Sequence, residues 1–287
     1  MLTAWQQSKA RANTFPEDAP QETCAAHEPT QSARLLPYDI AQMIVAHLTH
    51  DLNTLKAFSL TCRSWYIAVV PHLHHTLTLR GNKPDFTRGK LKPLPELYEL
   101  GLMPFIRELR AKQPHGTSPW FVPQAFTHRH LHHFSAFTNV HTLRFQSLEI
   151  HRFISGIELY FGHFSPTLRS ITLSEPRCTP RQLSSFLSFF QNLDDIEIWR
   201  LFTGVLNPAV LGTELAPPPT SKLRGRLTLY EFYWVETWTH LIASWGGLRF
   251  RHMDLRNVGA CAPVLLEACA ETLETLRLGV GNDPVGR

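Results

Sequence analysis

Hydrophobic residues recur at helical spacing in the segment from Leu36 to Leu79. After Leu36-Pro37, the residues Ile40, Ile44 and Leu48 follow one another every four positions, which predicts a helix with one apolar face. Pro37 suits the start of this helix, because its missing N–H costs nothing in the first turn.

Two further short helices are predicted in the same segment. Asp51 is a candidate N-cap, because its carboxylate can accept a hydrogen bond from an unpaired backbone N–H. The run Cys62-Arg63-Ser64-Trp65 begins a third helix, which has Trp65 and Val69 on one face and is expected to be disrupted at Pro71. These helices contain more large apolar groups than so small a unit needs, so some of them are expected to contact a partner.

The rest of the chain repeats a different pattern, in which apolar residues occupy the first, fourth and sixth positions of a short segment. Successive copies lie roughly 23 to 34 residues apart, as in proteins built from stacked repeats. The copies begin at Ile106, Val140, Leu168, Leu193, Phe250 and Leu273, and looser ones include Leu77 and Leu227.

Helical patterns lie between several of these copies. One of them begins at Thr179-Pro180, a plausible N-cap followed by a first-turn proline. Alternation of strand and helix with one period predicts an α/β fold of stacked units, each of which buries its apolar face against its neighbours. We therefore predict a short curved solenoid with a parallel sheet on its concave side; a conventional α/β sheet is the alternative.

The helical segment resembles the F-box, the domain by which substrate adaptors dock onto the Skp-type subunit of SCF-type ubiquitin ligases. The resemblance rests on Leu36-Pro37, Asp39-Ile40, Ile44, Leu48, Asp51, Leu55, Leu60, the run from Cys62 to Trp65, and Pro71. It implies that the Skp-type partner is bound by Leu36, Pro37, Ile40, Ile44 and Leu55. It also implies an F-box core made by Leu48, Leu60 and Trp65. Without the resemblance, the same pattern is that of a small helical core.

The downstream copies resemble leucine-rich repeats, with one departure. Only Leu255-Arg256-Asn257 contains the asparagine that usually follows the strand of such a repeat, so the other turns must be held in another way. No polar capping repeat follows Leu278, so the last strand either has an exposed edge or is covered by another element.

These patterns divide the chain into four predicted regions. Residues 1–34 have no sustained apolar period and are expected to form a disordered arm. An F-box-like helical domain follows at 35–80, then a linker at 81–104 that is rich in Gly, Lys and Pro. Residues 105–287 are expected to form the leucine-rich-repeat-like domain.

Composition excludes several classes of protein. The 287 residues are 43% apolar and 18% charged, as expected of a globular chain with a sizeable core. A net charge of +4 with scattered Arg and Lys argues against a nucleic-acid binder. Five cysteines without a CxxC pair favour a reducing compartment, and no segment is long and apolar enough to span a membrane. We expect a soluble protein of the cytoplasm or nucleus.

Candidate chemistry is sparse. The histidines from His128 to His133, with His72, His74 and His75, suggest a metal site, but Arg129 lies among them and no cysteine joins them. A solvated helix surface is the preferred interpretation. The chain lacks a GxSxG elbow, and Asp194 and Asp195 would point to opposite faces of a strand. We expect no enzyme activity, no cofactor and no bound metal.

The predicted sheet offers a binding surface instead. If the leucines of each strand face the core, the residues between them face solvent, because side chains alternate along a strand. The candidate substrate face comprises Arg144, Thr172, Asp195, Glu197, His252, Asp254 and Arg277. Its mixed charges suit a ligand of mixed charge, although an ordinary solvated sheet would have the same pattern.

Three functions compete at this level. The first is a non-catalytic adaptor that binds a Skp-type subunit, and through it a cullin-RING ligase, and presents an unknown protein substrate. The second is a stand-alone interaction scaffold in which the helices only cap the solenoid. The third and weakest is a helical nucleic-acid binder, against which the absence of a clustered basic helix already counts.

Overall fold

The computed structural model describes most of the chain from residue 36 to residue 279. The described ranges are 36–80, 93–112, 133–150, 161–190, 192–201, 224–233, 235, 238–239, 242–243 and 247–279. The predicted disordered arm lies outside the described residues. We call residues 36–75 the helical unit and residues 76–279 the sheet domain.

The helical unit contains three helices: α1 (Tyr38–His47), α2 (Leu52–Ser59) and α3 (Arg63–Leu73). The predicted N-cap of α2 is confirmed, because Asp51 accepts hydrogen bonds from the backbone N–H groups of Asn53 and Thr54, each at 3.1 Å. Thr54 also donates its hydroxyl to Asp51 at 2.6 Å. The expected disruption at Pro71 is wrong, since α3 continues through this residue in its last turn.

The helical unit has its own small core. Ala41 and Val45 of α1, Leu55 of α2, and Ala68 and Val69 of α3 are buried together. Four partly buried side chains pack around this group: Leu48, Phe58, Trp65 and Leu73. The rings of Phe58 and Trp65 contact each other with their centroids 4.6 Å apart. The three helices therefore bury one another without contributions from the sheet domain's core.

The sheet domain is organised by eight parallel strands in the order of the chain. Each strand pairs with the one before it and the one after it. The strands are β1 (Thr76–Arg80), β2 (Glu108–Lys112), β3 (Thr142–Gln146), β4 (Ser170–Ser174), β5 (Asp195–Trp199), β6 (Arg224–Tyr230), β7 (Arg249–Arg256) and β8 (Thr275–Gly279). The predicted α/β fold with a parallel sheet is confirmed.

One face of the sheet forms the main core. Apolar residues at alternate positions of the strands, such as Leu143, Ile171 and Ile196, are fully buried there. Helices α5 (Pro180–Ser188) and α6 (Cys261–Cys269) contribute to the same core. Thr179 caps α5 as predicted: it accepts from the Gln182 N–H, and the Gln182 side chain accepts from the Thr179 N–H.

The linker predicted at 81–104 is wrong in its second half. A helix, α4, runs from Pro93 to Glu99, and a 3₁₀ turn follows at Met103–Phe105. Leu94 and Met103 are buried in the main core. The boundary at 80 is also displaced, because β1 is the first strand of the sheet rather than the end of the helical unit. The Gly, Lys and Pro content of residues 81–92 suggested a linker, but it does not extend into the apolar segment that follows.

Five turns after the strands share one backbone geometry. The residue after each of β3 to β7 has a left-handed conformation, with φ between 51° and 57°. Its N–H donates to the carbonyl of the last residue in the next strand, over 2.7 to 3.2 Å. These residues are Ser147, Glu175, Arg200, Glu231 and Asn257. A ladder of main-chain hydrogen bonds thus holds turns in which only one residue is asparagine.

The outer edge of β8 was predicted to be either exposed or covered by another element. Leu276 and Leu278 occupy core-facing positions of the pattern, yet they are 39% and 64% exposed. Residues 280–287 lie outside the described residues. Within the described part of the chain, no strand pairs with the outer edge of β8.

Candidate functional site

An apolar stripe covers the outer side of α1. Ile40, Met43 and Ile44 are spaced by three and four residues, which places them on one face of the helix. They are 37%, 56% and 36% exposed, whereas Ala41 and Val45 on the opposite face are buried. The side chains of this stripe therefore do not belong to the core of the helical unit.

Four of the five residues predicted to bind a Skp-type partner are exposed: Leu36, Pro37, Ile40 and Ile44. The prediction for the fifth residue, Leu55, is wrong, because Leu55 is fully buried in the core of the helical unit. Leu55 and Phe58 are spaced by three residues and form the inward side of α2. Leu55 cannot contact a partner without unfolding the unit.

The three residues predicted to form the core differ in their positions. Leu48 and Trp65 pack against the core and are partly buried. The prediction that Leu60 belongs to the core is wrong, because this residue is 80% exposed. It caps the C-terminus of α2, two positions beyond Phe58, and so falls outside the inward side of that helix.

The sequence did not single out five exposed apolar or aromatic residues of the helical unit: Tyr38, Met43, Leu52, Tyr66 and Ile67. Met43 could have been found from its spacing of three residues from Ile40, since both three- and four-residue spacings share a helix face. Tyr66 and Ile67 follow Trp65 directly, and only the fold separates the buried side of α3 from the exposed one.

The second candidate surface is the sheet face opposite the main core, which we call the open face. All seven residues of the predicted substrate face lie on it, at two levels. Asp195 and His252 belong to a row that begins at Thr76. The other five follow one another across the neighbouring row: Arg144, Thr172, Glu197, Asp254 and Arg277.

At the β1–β3 end of the open face, donors from three strands bind one carboxylate, that of Glu108. Glu108 accepts from Arg110 Nε at 3.0 Å, from Arg110 Nη2 at 2.9 Å and from the Thr76 hydroxyl at 3.1 Å. Arg144 of β3 forms an ion pair with the same carboxylate. Burial alone would raise the pKa of Glu108, but hydrogen bonding to Arg110 and the charges of Arg144 and Arg110 lower it below its ordinary value.

In the middle of the open face, Glu197 is held in a similar way. It accepts from the Thr172 hydroxyl at 3.0 Å and from Trp199 Nε1 at 2.6 Å. Thr172 is almost completely buried, so it orients Glu197 rather than offering a surface of its own. Trp199 also stacks on Tyr230 of β6, with ring centroids 5.1 Å apart. The sequence did not single out this aromatic pair, although Trp199 and Tyr230 continue the alternation of their strands two residues beyond Glu197 and Thr228.

The β6–β8 end contains a cavity of about 440 Å³. Its lining residues are Arg226, Thr228, His252, Met253, Asp254, Thr275 and Arg277. Asp254 is already bound by Arg256, through Nε at 2.9 Å and Nη2 at 2.8 Å. The cavity therefore combines charged and hydroxyl groups from three neighbouring strands.

The thiols and histidines provide no assembled reactive site among the described residues. Burial raises the pKa of the Cys178 and Cys269 thiols, and it raises that of Cys261 to about 11. No group of three His, Cys, Asp or Glu side chains in the described ranges is arranged to hold a metal. Most of the predicted histidine cluster, 128–132, lies outside these ranges.

Comparisons with known proteins give no assignment of family. No protein-family model matches the chain, and no curated protein matches it significantly in sequence. Every helix in the described ranges is too short or too polar to cross a lipid bilayer.

Proposed function

We propose that this protein is a non-catalytic substrate adaptor of an SCF-type ubiquitin ligase. The helical unit is F-box-like and docks on a Skp-type subunit, and the sheet domain is leucine-rich-repeat-like and binds a protein substrate on its open face. The chemistry is proximity: holding a substrate lysine near the charged ubiquitin carrier replaces a bimolecular encounter by an intramolecular one.

One observation carries the docking half of this proposal. The three helices close a core from Ala41, Val45, Leu55, Ala68 and Val69, and the stripe on α1 still remains exposed. Exposed apolar groups gathered on one surface are typical of a binding site, because leaving them in water costs free energy that a partner can recover. Leu36 extends this apolar surface just before the helix.

The substrate half is supported by the open face. Eight strands in sequential order present their polar residues in rows, and the described helices α5 and α6 pack on the opposite side. The face is therefore accessible to a second protein. Among the described residues, some of its charges are paired within the chain and others form no ion pair, which suits selective rather than general recognition.

Co-purification with a Skp-type subunit tests the docking half. We expect the intact chain to form a complex, and the variant that combines Pro37→Ala with Ile40→Asp to lose it. Tyr233→Asp is the control, because Tyr233 is, like Ile40, a large exposed hydrophobic residue but belongs to the sheet domain. Absence of a complex with the intact chain would remove the basis of the adaptor proposal, and an unchanged complex in the double variant would refute the docking surface.

A stand-alone scaffold is the second candidate, and one contact favours it. Helix α3 leads directly into β1 and also contacts the 3₁₀ turn at Met103–Phe105, so the helical unit lies against the first repeat of the sheet. Such a position suits a cap that shields the end of a repeat stack. Deleting the residues before Thr76 should then lower the cooperativity of unfolding of the sheet domain, whereas an adaptor role alone requires no such change.

A further inference from the structure

The cavity at the β6–β8 end has two arginines, and its one lining carboxylate, Asp254, is already bound by Arg256. Arg226 lies on β6 in the row of His252, and Arg277 lies on β8 in the neighbouring row. His252 and Asp254 of β7 lie between them. The cavity therefore has an arginine on each side of a central strand.

Neither arginine has a charged partner within the described part of the chain. Both Arg226 and Arg277 are exposed, and neither forms an ion pair with a described carboxylate. Asp254 lies beside Arg277 in the register and is occupied by Nε and Nη2 of Arg256. Asp195 lies beside Arg226 in the register but forms no ion pair with it. Glu274, beside the cavity's Thr275, pairs with Arg251 at 3.6 Å.

The other end of the open face shows what the same donors do when a carboxylate is present. There, Arg110, Arg144 and the Thr76 hydroxyl converge on Glu108, which lies on the middle one of three adjacent strands. The β6–β8 end also has two arginines and threonine hydroxyls, but its middle-strand carboxylate, Asp254, is already bound by Arg256 and its arginines lie two strands apart. Arginine binds carboxylates through paired, charge-assisted hydrogen bonds, so a carboxylate is the complementary group.

The backbone of β6 favours this presentation of Arg226. A register shift between Gly225 and Arg226 interrupts the pairing of β6 with β7. Gly225 has φ of 91°, and a side chain there would collide with the carbonyl of Asp194. Only glycine fits this approach, and the Arg226 N–H then donates to the same carbonyl at 2.8 Å.

We propose that the β6–β8 cavity binds an acidic segment of the protein substrate, with Asp or Glu side chains paired to Arg226 and Arg277. This inference rests on the proposed function and names its substrate class. The two arginines are two strands apart, and their rows are two residues apart along the strands. These offsets of about 10 Å and about 7 Å put their backbone positions about 12 Å apart. Two acidic residues of an extended segment span about 13 Å and point to the same side when they are four positions apart.

The charges of the neighbouring strand restrict the ligand further. Asp195 of β5 lies opposite Arg226 in the register, and Glu197 lies in the next row. These carboxylates repel a long polyanion such as a nucleic acid, which would cross several strands. They tolerate a short acidic segment, and Arg277, which is farther from them, is expected to contribute more than Arg226.

A displayed library of random peptides tests this assignment with the full-length chain as the bait. We expect the bound peptides to be enriched in Asp and Glu at two positions, and their affinity to fall as salt is added. Replacing both arginines (Arg226→Gln with Arg277→Gln) should weaken the best peptide about tenfold. Arg181→Gln is the matched control, because Arg181 is an exposed arginine on α5, on the other side of the sheet.

Three results would overturn the inference. The first is a library with no enriched sequence, or one without an excess of acidic residues. The second is an acidic peptide that binds the double variant as well as it binds the original chain. The third is a single-stranded oligonucleotide that binds through these arginines while no acidic peptide does.

The same variants separate this inference from the proposed function. The double variant should still form the complex with the Skp-type subunit, since the cavity and the α1 stripe belong to different regions. A chain that binds the Skp-type subunit but selects no acidic peptide contradicts only the cavity assignment. A chain that selects acidic peptides through Arg277 but never binds the Skp-type subunit contradicts only the adaptor proposal.

Discussion

In the helical unit the exposed side chains include Ile40, Met43 and Ile44, whereas the open face of the sheet domain bears charged and hydroxyl groups. Much of that face is already neutralised, as at Glu108 with Arg110 and Arg144. Within the described ranges, no side chain covers the apolar stripe of the helical unit in a comparable way. Exposure alone is therefore a weak guide to binding, and what matters is whether folding has already provided each group with a partner.

The two regions also differ in how deeply their cores are packed. In the sheet domain, Phe186 of α5 is fully buried, with ring contacts to Phe145 at 6.1 Å and Phe190 at 5.5 Å. Phe186→Ala should lower the free energy of unfolding by about 3–5 kcal/mol, because it opens a cavity among these rings. Urea denaturation measures this loss. Phe186→Leu is the milder control, and equal effects of the two variants would contradict the packing.

Leu55 and Leu60 sharpen the comparison within the helical unit. Leu55→Ala should destabilise the unit by about 2–5 kcal/mol, because Leu55 is fully buried. Leu60→Ala should change stability by no more than about 0.5 kcal/mol, since Leu60 is mostly exposed. Amide hydrogen exchange in α1 to α3 distinguishes the two. Faster exchange in the Leu60 variant than in the Leu55 variant would reverse our assignment of the core.

Glu108 tests whether the open face is held together by its own charges. Its pKa is lower in the folded chain than its ordinary value of 4.5, so it stabilises the fold above that value and ceases to do so as the pH falls below it. Glu108→Gln should cost about 1–2 kcal/mol near neutral pH, because Arg110 and Arg144 lose a charged acceptor.

The pH dependence gives the control for this prediction. The difference in urea midpoint between the original chain and Glu108→Gln should be constant above about pH 5 and should shrink at lower pH. Glu274→Gln removes a far more exposed partner of an arginine and should have little effect at any pH. A difference that grows on acidification would contradict the direction of the pKa shift.

A small loss of stability is expected from the cap of α5. Thr179→Ala removes the acceptor for the Gln182 N–H and should cost about 1 kcal/mol. Thr179→Ser retains the hydroxyl and should preserve most of the stability. Thermal unfolding of the two variants checks this, and identical melting temperatures would argue against a contribution from the capping hydroxyl.

The sequence allowed prediction of the repeating elements but not of their pairings. Strand alternation identified the open face because side chains point to opposite sides in turn, and the Asp51 and Thr179 caps have local signatures. The burial of Leu55 was not readable, because α2 is short and its inward side has only two apolar members in the core region. The partners of Glu108 come from separate strands, so no local pattern reveals which arginines remain free.

The turns after the strands illustrate the same limit. Ser147, Glu175 and Arg200 have left-handed backbones, yet none of them is a residue type that commonly adopts this conformation. The main-chain ladder between neighbouring strands holds them in place. Such a constraint arises only after the strands have stacked, so the sequence predicted a substitute for the asparagines without indicating its form.

Titration calorimetry of the full chain with a Skp-type subunit tests the central claim most directly, by comparing Ile40→Asp combined with Ile44→Asp against Tyr233→Asp. Charges on the α1 stripe should weaken binding by about 2–4 kcal/mol without unfolding the helical unit, because these side chains lie outside its core. The Tyr233 variant should bind as the original chain does. Equal affinities for all three proteins, or no binding by the original chain, would contradict the account.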